Sequence, residues 1–431
     1  MKGTTLKYGI VLGLCLQLFS FAGFAQSQYN FDHLTPEDGL SESTVLAITQ
    51  DADGFIWFGT RGGLNRYDGR KVRVYRHEDS IASSISDNFV FAMLKDRRGR
   101  LWVGTRIGLN LLDPATGGFK QYYADSLDDS SVSNSTITCI YEDRDGRIWV
   151  GTRQGLNMLV DNGRITFRRF MHDPANPNTL MDGDVRSIFQ DSQGYLWVGT
   201  PQGFSKLTIR DGTGFRFKSY RLPDNNELSS RSNSVNAIGE DSRGSLLIGT
   251  ERKGLIFFDP LREQFSADNP VTRALDAKAV RSIHRTPAGA FWIGTIGGLF
   301  ILSNDFNKID VLKNEPDNPA SITDNSIRSI FCDQHGTFWI GTYHGGVNIF
   351  SPRAKQFRYI DPAIGTERFR LKVASALTTD RDGNFWIGTE GNGLILADAN
   401  SRVRMHFRHT EKDPNSLCHD NIKCLLVEDG L

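Results

Sequence analysis

The sequence predicts an all-β fold, a β-propeller made of four-stranded blades, on the strength of two observations. First, the pattern Asp-x-x-Gly-x-x-Trp-x-Gly-Thr, seen at 51–60, returns along the 431 residues at intervals of 45 to 50. Second, the segments between the copies are short, rich in β-branched and aromatic residues and interrupted by turn glycines, with no helical periodicity. The Trp position of the pattern is occupied in turn by Trp57, Trp102, Trp149, Trp197, Leu247, Trp292, Trp339 and Trp386.

Each repeat is expected to supply its four strands in a fixed order. An apolar segment such as 45–50 precedes the Asp-x-x-Gly turn and the Trp segment follows it, which is typical of two strands joined by a tight hairpin. Two or three variable residues after Gly-Thr lead to a Gly-Leu or Gly-Val pair that opens a third strand, and a fourth segment carries aromatic residues. We interpret the recurring Asp as the cap of its own turn, because a carboxylate needed once for catalysis or metal binding would not recur in seven of eight repeats.

The Trp side chains are interpreted as structural residues that pack between neighbouring blades. Truncating one of them to Ala should therefore cost about 3–5 kcal/mol of stability. On this interpretation, Leu247 marks the loosest seam between two blades.

The number of repeats predicts the domain organisation. The segment 29–34 stands alone before the first complete repeat and resembles a fourth strand, so we expect it to close the ring as the outer strand of a later blade. Eight complete repeats follow, and a ninth begins at Ile422. The preferred plan is a signal peptide at 1–25, a seven-bladed propeller at 26–352, and the beginning of a second, truncated propeller at 353–431. One eight-bladed ring is the alternative, and the stop inside a strand pair indicates a fragment of a longer protein.

The first 25 residues differ from the rest of the chain. Lys2 and Lys7 precede an apolar run that ends in small residues at Ala25, which is typical of a secretory signal peptide cleaved after that residue. A retained membrane anchor is the alternative. No second apolar stretch of spanning length follows, so we expect the mature chain to be periplasmic and to contain no membrane segment.

Charge and residue spacing argue against several classes of function. The 50 basic and 50 acidic side chains cancel, which leaves no bulk electrostatic case for nucleic acid or an anionic membrane as partner. Cys139, Cys332, Cys418 and Cys424 lack metal-binding spacing and are expected to be buried strand residues, with a disulfide as the alternative. The nine His are scattered and no paired carboxylates or nucleophile arrangement stands out, so we predict no catalytic residue, metal or cofactor.

Candidate ligand-binding residues follow from a comparison of the repeats with one another. Positions that recur in every repeat build the blades, whereas positions that differ are free to form a site. The most variable short loop joins the second and third strands, on the face that carries the mouth of the central channel. Arg offers a planar fork for carboxylate, sulfate or sugar hydroxyls, and Tyr or His offers a face that stacks on a pyranose ring. Ordinary solvated turn residues are the alternative interpretation of each candidate. The candidates are Arg61, Arg106, Arg153, Gln202, Arg252, Tyr343, His344, Glu390 and Asn392.

The stretch Asp143-Arg-Asp-Gly-Arg-Ile-Trp-Val-Gly-Thr152, followed by Gly155-Leu156-Asn157, resembles the two-component regulator propeller repeat, and the resemblance covers essentially the whole mature chain. The resemblance implies the periplasmic sensor region of a Bacteroidetes-type hybrid two-component system, which recognises an oligosaccharide and can form a homodimer. The histidine kinase of such systems has no counterpart here, so we do not expect this chain to be an enzyme. Two alternatives remain: a streptogramin-lyase-like propeller enzyme that uses a metal and His344, and a protein-interaction scaffold or sensor fragment.

Overall fold

The computed structural model describes residues 29–210, 214–223, 234–266, 270–352, 363–364, 367–368, 373–399 and 402–428. The described residues divide into two compact units, one comprising Tyr29–Pro352 and the other comprising those that follow Pro352. The described residues form eight four-stranded antiparallel sheets, which confirms the all-β propeller architecture. The predicted signal peptide at 1–25 lies outside the described residues.

Seven of the sheets lie in the larger unit and are called blades 1 to 7 in chain order, with strands numbered outward from the innermost one. Blade 1 contains Val45–Gln50, Ile56–Thr60, Leu64–Tyr67 and Val72–Tyr75, and blade 2 contains Val90–Lys95, Leu101–Thr105, Leu109–Leu112 and Phe119–Tyr122. Blade 3 contains Ile137–Glu142, Ile148–Thr152, Gly155–Asp161 and Ile165–Phe170, and blade 4 contains Ser187–Gln190, Leu196–Thr200, Gly203–Arg210 and Gly214–Tyr220. Blade 5 contains Val235–Glu240, Leu246–Thr250, Leu255–Asp259 and Gln264–Phe265, and blade 6 contains Val280–Arg285, Phe291–Thr295, Gly298–Leu302 and Ile309–Leu312. Blade 7 contains Ile327–Cys332, Phe338–Thr342, Val347–Phe350 and, as its outer strand, Asp32–Leu34. Among its described residues, this unit also has a 3-10 turn at Pro36–Asp38 and a short α-helix at Pro270–Ala274.

The ring closes between blade 7 and blade 1. The outer strand Asp32–Leu34 pairs antiparallel with the third strand of blade 7, with Asp32 opposite Ile349. On the inner side, the Ser329 hydroxyl donates a hydrogen bond of 3.3 Å to the carbonyl of Val45, so the innermost strands of these two blades are neighbours. The seven-bladed ring and its closure by the N-terminal strand are therefore confirmed. The alternative of one eight-bladed ring is wrong, because the eighth sheet belongs to the other unit.

The recurring Trp fills the space between adjacent blades and binds the recurring Asp. Trp149 of blade 3, for example, is fully buried against Val185 and Val198 of blade 4. Its indole N–H donates to the carboxylate of Asp143 at 2.8 Å, while the second oxygen of that carboxylate accepts backbone N–H groups of the turn. The same hydrogen bond, between residues six positions apart, joins Trp57 to Asp51 (2.6 Å), Trp102 to Asp96 (2.9 Å), Trp197 to Asp191 (2.7 Å), Trp339 to Asp333 (3.0 Å) and Trp386 to Asp380 (3.0 Å).

The contact between blades 5 and 6, where Leu247 lies, is not loosely packed as predicted. Leu247 is completely buried, in a cluster that contains Phe257 and Phe291 as well as Val271 of the short α-helix. Phe306 packs against the same cluster. The smaller side chain is therefore compensated by these additional apolar groups, and the seam is filled.

The other unit contains the eighth sheet, formed by Ala374–Thr379, Phe385–Thr389, Leu394–Ala397 and Val403–Phe407, and a short hairpin of Ala363–Ile364 with Glu367–Arg368. Ile422 donates its backbone N–H to Thr389 at 2.9 Å, as Val185 does to Thr152 where blade 4 follows blade 3. Of the four described cysteines, all free, Cys418 and Cys424 are exposed, which contradicts their prediction as buried residues. None of the described helices has the length and apolar character needed to cross a membrane.

Candidate functional site

The variable loops of the ring lie beside the segments that lead into the innermost strands. In five blades, the first residue after Gly-Thr donates its backbone N–H to the carbonyl of the residue just before the innermost strand of its own blade. This bond is observed for Arg106 to Phe89 (3.0 Å), Arg153 to Thr136 (3.3 Å), Glu251 to Ser234 (3.0 Å), Ile296 to Ala279 (3.1 Å) and Tyr343 to Ser326 (2.9 Å). Because the loops are held there by backbone groups, their side chains can vary without loss of the blade.

Arg61 of blade 1 and Tyr343 of blade 7 come together across the closure of the ring. The Arg61 guanidinium donates a hydrogen bond of 2.7 Å to the Tyr343 hydroxyl and lies 4.6 Å from the centre of its ring. The Tyr343 backbone carbonyl accepts a bond of 2.6 Å from the Thr44 hydroxyl, which fixes this loop against blade 1. His344 is exposed, its ring lies 4.4 Å from the Tyr343 ring, and its backbone N–H binds Asp324 at 2.9 Å.

The remaining candidates of the ring are distributed around the face and do not join this pair. Arg106 forms an ion pair of 3.0 Å with Asp87, and the Gln202 amide donates to Asp182 at 3.0 Å. Arg153 and Arg252 are exposed. Burial raises the pKa of the Asp184 carboxyl, and the nearby Arg186 and Arg153 partly offset that effect. Glu390 and Asn392 belong to the other unit, where Glu390 pairs with Lys423 at 2.5 Å and the Asn392 backbone N–H binds the Thr389 hydroxyl at 3.1 Å.

Comparison of the repeats missed a second set of side chains that vary around the ring, at the start of the innermost strands. In six blades the pairing register shifts at this position, which is a β-bulge, and in blade 4 the residue directly precedes the strand. A bulge re-aims the side chain it carries. The residues are Leu46, Phe91, Thr138, Arg186, Asn236, Arg281 and Arg328. Their variation from blade to blade is visible in the sequence, but the strand around them was interpreted as scaffold.

Two of these residues extend the Arg61–Tyr343 pair into blades 6 and 7. Arg281 forms a bidentate ion pair with Glu251, with both oxygen contacts at 2.8 Å. The Arg328 guanidinium lies 4.8 Å from the centre of the Tyr343 ring, and within the described residues it has no hydrogen-bond or ion-pair partner. We call Arg61, Arg281, Arg328 and Tyr343 the seam cluster.

The electrostatics of the seam cluster are dominated by positive charge. Burial lowers the pKa of Arg328, and the positive charges of Arg281 and Arg61 lower it further. Glu251 is the carboxylate that counteracts this effect, and it is already shared between Arg281 and the amide of Asn236 (2.9 Å). The Nε atoms of Arg281 and Arg328 are buried without a partner among the described residues. Buried donors of this kind are satisfied by a bound acceptor at little further desolvation cost.

An aromatic surface adjoins the cluster on the side of blade 2. Phe89 and Phe91 are half-buried with ring centres 4.5 Å apart, and the Arg61 guanidinium lies 5.6 Å from the Phe89 ring. Cations, a hydroxyl and aromatic faces therefore occur together at this part of the channel mouth. In the part of the chain that the structure describes, no group of three His, Cys, Asp or Glu side chains could hold a metal ion.

Fold and repeat chemistry agree with a comparison against known families. Six segments match the model of the two-component regulator propeller, at residues 39–62, 84–106, 131–154, 179–202, 321–344 and 371–391. These six segments of the chain are therefore two-component regulator propeller repeats.

Comparison of the chain with solved structures and with curated proteins identifies individual relatives. The chain is similar to the extracellular domain of a putative hybrid two-component system from B. thetaiotaomicron, with 27% identity and a TM-score of 0.68 over 92% of this chain and 50% of that one. It is 44% identical over 73 residues to a histidine kinase of Formosa agariphila, which covers 16% of this chain and 5% of the kinase. A virginiamycin B lyase from Staphylococcus aureus shares the fold, with 13% identity and a TM-score of 0.53 over 75% of this chain and 99% of the lyase. This chain thus spans half the length of the extracellular domain and a small part of the kinase.

Proposed function

We propose that this chain is the ligand-sensing propeller of a hybrid two-component signalling system, exported to the periplasm, and that it receives an oligosaccharide on the loop-bearing face of its seven-bladed ring. Its homology to the extracellular domain of such a system supports the sensory role. Signal output then depends on a kinase that would act on the other side of a membrane.

The observation that carries the proposal is the seam cluster. Its side chains lie at positions whose residue type changes around the ring, although the scaffold around these positions is repeated. The cluster combines a guanidinium that has no hydrogen-bond or ion-pair partner among the described residues, a tyrosine hydroxyl and, beside them, the half-buried rings of Phe89 and Phe91. Sugars need these groups, because aromatic faces pack against the C–H face of a pyranose ring while guanidinium donors bind its oxygens.

Isothermal titration of the purified chain against a panel of neutral and acidic oligosaccharides tests this function. We expect at least one glycan to bind with a dissociation constant in the range of about 1 μM to 1 mM. Tyr343→Ala should abolish or strongly weaken that binding. Tyr195→Ala is a matched control, since Tyr195 precedes the second strand of blade 4, at the end opposite to the variable loop.

The outcomes separate the site from the function. A folded chain that binds no glycan of the panel contradicts the sensing function. A chain that binds a glycan equally well with and without Tyr343 places the site elsewhere. The homodimer expected of the sensor is tested on the same samples, by light scattering with and without the bound glycan.

A further inference from the structure

We infer that Arg328 and Arg281 form an anion subsite at the channel mouth, and that the sensor therefore selects oligosaccharides that carry a carboxylate or a sulfate group. This inference deepens the proposed function, since it names the class of sugar, and it rests on that function only for the sugar part of the ligand. The anion subsite itself can be tested with an inorganic ion.

The balance of charge is the first reason. The seam cluster brings three guanidinium groups, those of Arg61, Arg281 and Arg328, near the carboxylate of Glu251. Glu251 is fully engaged by Arg281 and by the Asn236 amide. A half-buried cation without a counter-ion is unfavourable, and a bound anion would relieve both its charge and its unsatisfied donors.

Arg328 has the geometry of a receptor for such an anion. Its Nε is enclosed without a partner among the described residues, and the residue as a whole is half-buried. The guanidinium is held over the face of Tyr343 at 4.8 Å, and Tyr343 is in turn fixed by Arg61 and Thr44. A guanidinium that is already oriented loses little entropy when it binds a carboxylate or sulfate through two parallel hydrogen bonds.

Blade 4 provides an internal comparison. The tripeptide Arg-Ser-Ile occurs at the same position in blades 4, 6 and 7, beginning at Arg186, Arg281 and Arg328. Arg186 is exposed and forms an ion pair of 2.6 Å with Asp184, a residue of its own blade. In blade 6 the carboxylate comes from Glu251 of blade 5. In blade 7 no described carboxylate pairs with Arg328, and we infer that the ligand supplies it.

The first experiment uses inorganic sulfate and needs no sugar. Sulfate is titrated into the ¹⁵N-arginine-labelled chain at constant ionic strength, and the side-chain Nε–H resonances are followed by NMR. Arg328→Gln, Arg281→Gln and Arg186→Gln assign the three signals. We expect a saturable shift of the Arg328 and Arg281 signals, because each Nε–H belongs to a guanidinium of the subsite and its resonance responds to an anion bound at that group. If the chemical shifts of Arg328 and Arg281 changed no more than that of Arg186, the inference would be overturned.

The second experiment compares acidic glycans with neutral glycans of the same length, such as trigalacturonate and its methyl ester, within the titration panel. Arg328→Gln should weaken binding of an acidic glycan by about tenfold or more, as expected for loss of a charge-assisted pair, and Arg186→Gln should change it by less than about twofold. Binding of neutral glycans only, unaffected by Arg328→Gln, overturns the inference and leaves the sensing function intact. If the chain binds sulfate saturably but binds no glycan, the result supports the anion subsite and contradicts the oligosaccharide function.

Discussion

The hydroxyl of Tyr343 in blade 7 accepts a hydrogen bond of 2.7 Å from the guanidinium of Arg61 in blade 1, two residues that are 282 positions apart in the sequence. The bond exists only because the N-terminal strand closes the ring and makes the first and last blades neighbours. The candidate site therefore depends on ring closure. A sensor whose ligand contacts both sides of a closure could couple binding to the stability of the ring.

Tyr343→Phe tests the contribution of this bond. The substitution keeps the aromatic face for Arg328 and removes the acceptor of Arg61, so we expect ligand affinity to fall by about two- to tenfold, with little change in thermal stability. Tyr195→Phe removes a hydroxyl far from the seam cluster and should leave affinity unchanged. Equal affinities of the wild type and Tyr343→Phe, measured by titration calorimetry, would show that the orientation of Arg61 does not matter for binding.

A comparison of two tryptophans tests the energetic role of the Trp–Asp bond. Within the described residues, the indole of Trp197 is the one donor to Oδ2 of Asp191, a carboxylate that is 1% exposed. Trp292 occupies the same position in blade 6, where Thr286 replaces the Asp. Trp197→Phe leaves a buried carboxylate oxygen without its donor, so it should cost about 1.5–3 kcal/mol more unfolding free energy than Trp292→Phe. Urea denaturation of both variants gives the difference, and equal losses would mean that the indole acts by packing alone.

The blades and their order could be predicted from sequence because their determinants are local and repeated. Turn glycines, the Trp and the Gly-Thr pair recur at fixed offsets, and the solitary segment before the first repeat predicted the closing strand Asp32–Leu34. Even the Trp–Asp bond could have been predicted, since the six-residue spacing recurs in six repeats.

The chemistry of the face could be predicted only in part. Comparison of the loops selected Arg61 and Tyr343, which the structure brings together, but also Arg106, whose charge is neutralised by Asp87. Arg281 and Arg328 were not predicted as site residues, because each lies at a bulge in a strand whose sequence pattern indicates a structural role. Whether an arginine has a carboxylate partner depends on contacts between blades, such as that of Arg281 with Glu251, and sequence offsets alone do not reveal these contacts.

A half-buried histidine should make the ring sensitive to acid. His284, on the innermost strand of blade 6, packs edge-on against Phe338 with ring centres 5.9 Å apart, and burial lowers its pKa. The unfolded chain therefore takes up a proton at this residue before the folded chain does. The stability contribution is complete above the unfolded pKa of about 6.5 and falls as the pH drops below it towards the folded pKa.

His284→Phe should remove this component of the pH dependence. Phe already occupies the equivalent position in blades 4 and 7, as Phe189 and Phe331, so the substitution suits the fold. The unfolding free energy of the variant, measured in urea at about pH 7.5 and about pH 5.5, should fall less than that of the wild type. His335→Phe, at an exposed turn, is the control. An unchanged pH dependence in His284→Phe would place the acid sensitivity at other groups.

Phe31 should determine how firmly the ring is closed. It precedes the closing strand, is 4% exposed, and packs with Trp292, Phe338 and Phe350 of blades 6 and 7. Phe31→Ala should cost about 3–5 kcal/mol and should loosen the pairing of Asp32–Leu34 with Val347–Phe350. Amide hydrogen exchange within Val347–Phe350 should then become faster than in the wild type. Phe119→Ala is the matched control, since Phe119 is 6% exposed in the outer strand of blade 2 and should destabilise without selectively exposing blade 7. If both variants accelerated exchange in Val347–Phe350 equally, the closing strand would have no separate stability, and ligand binding at the seam could not act through it.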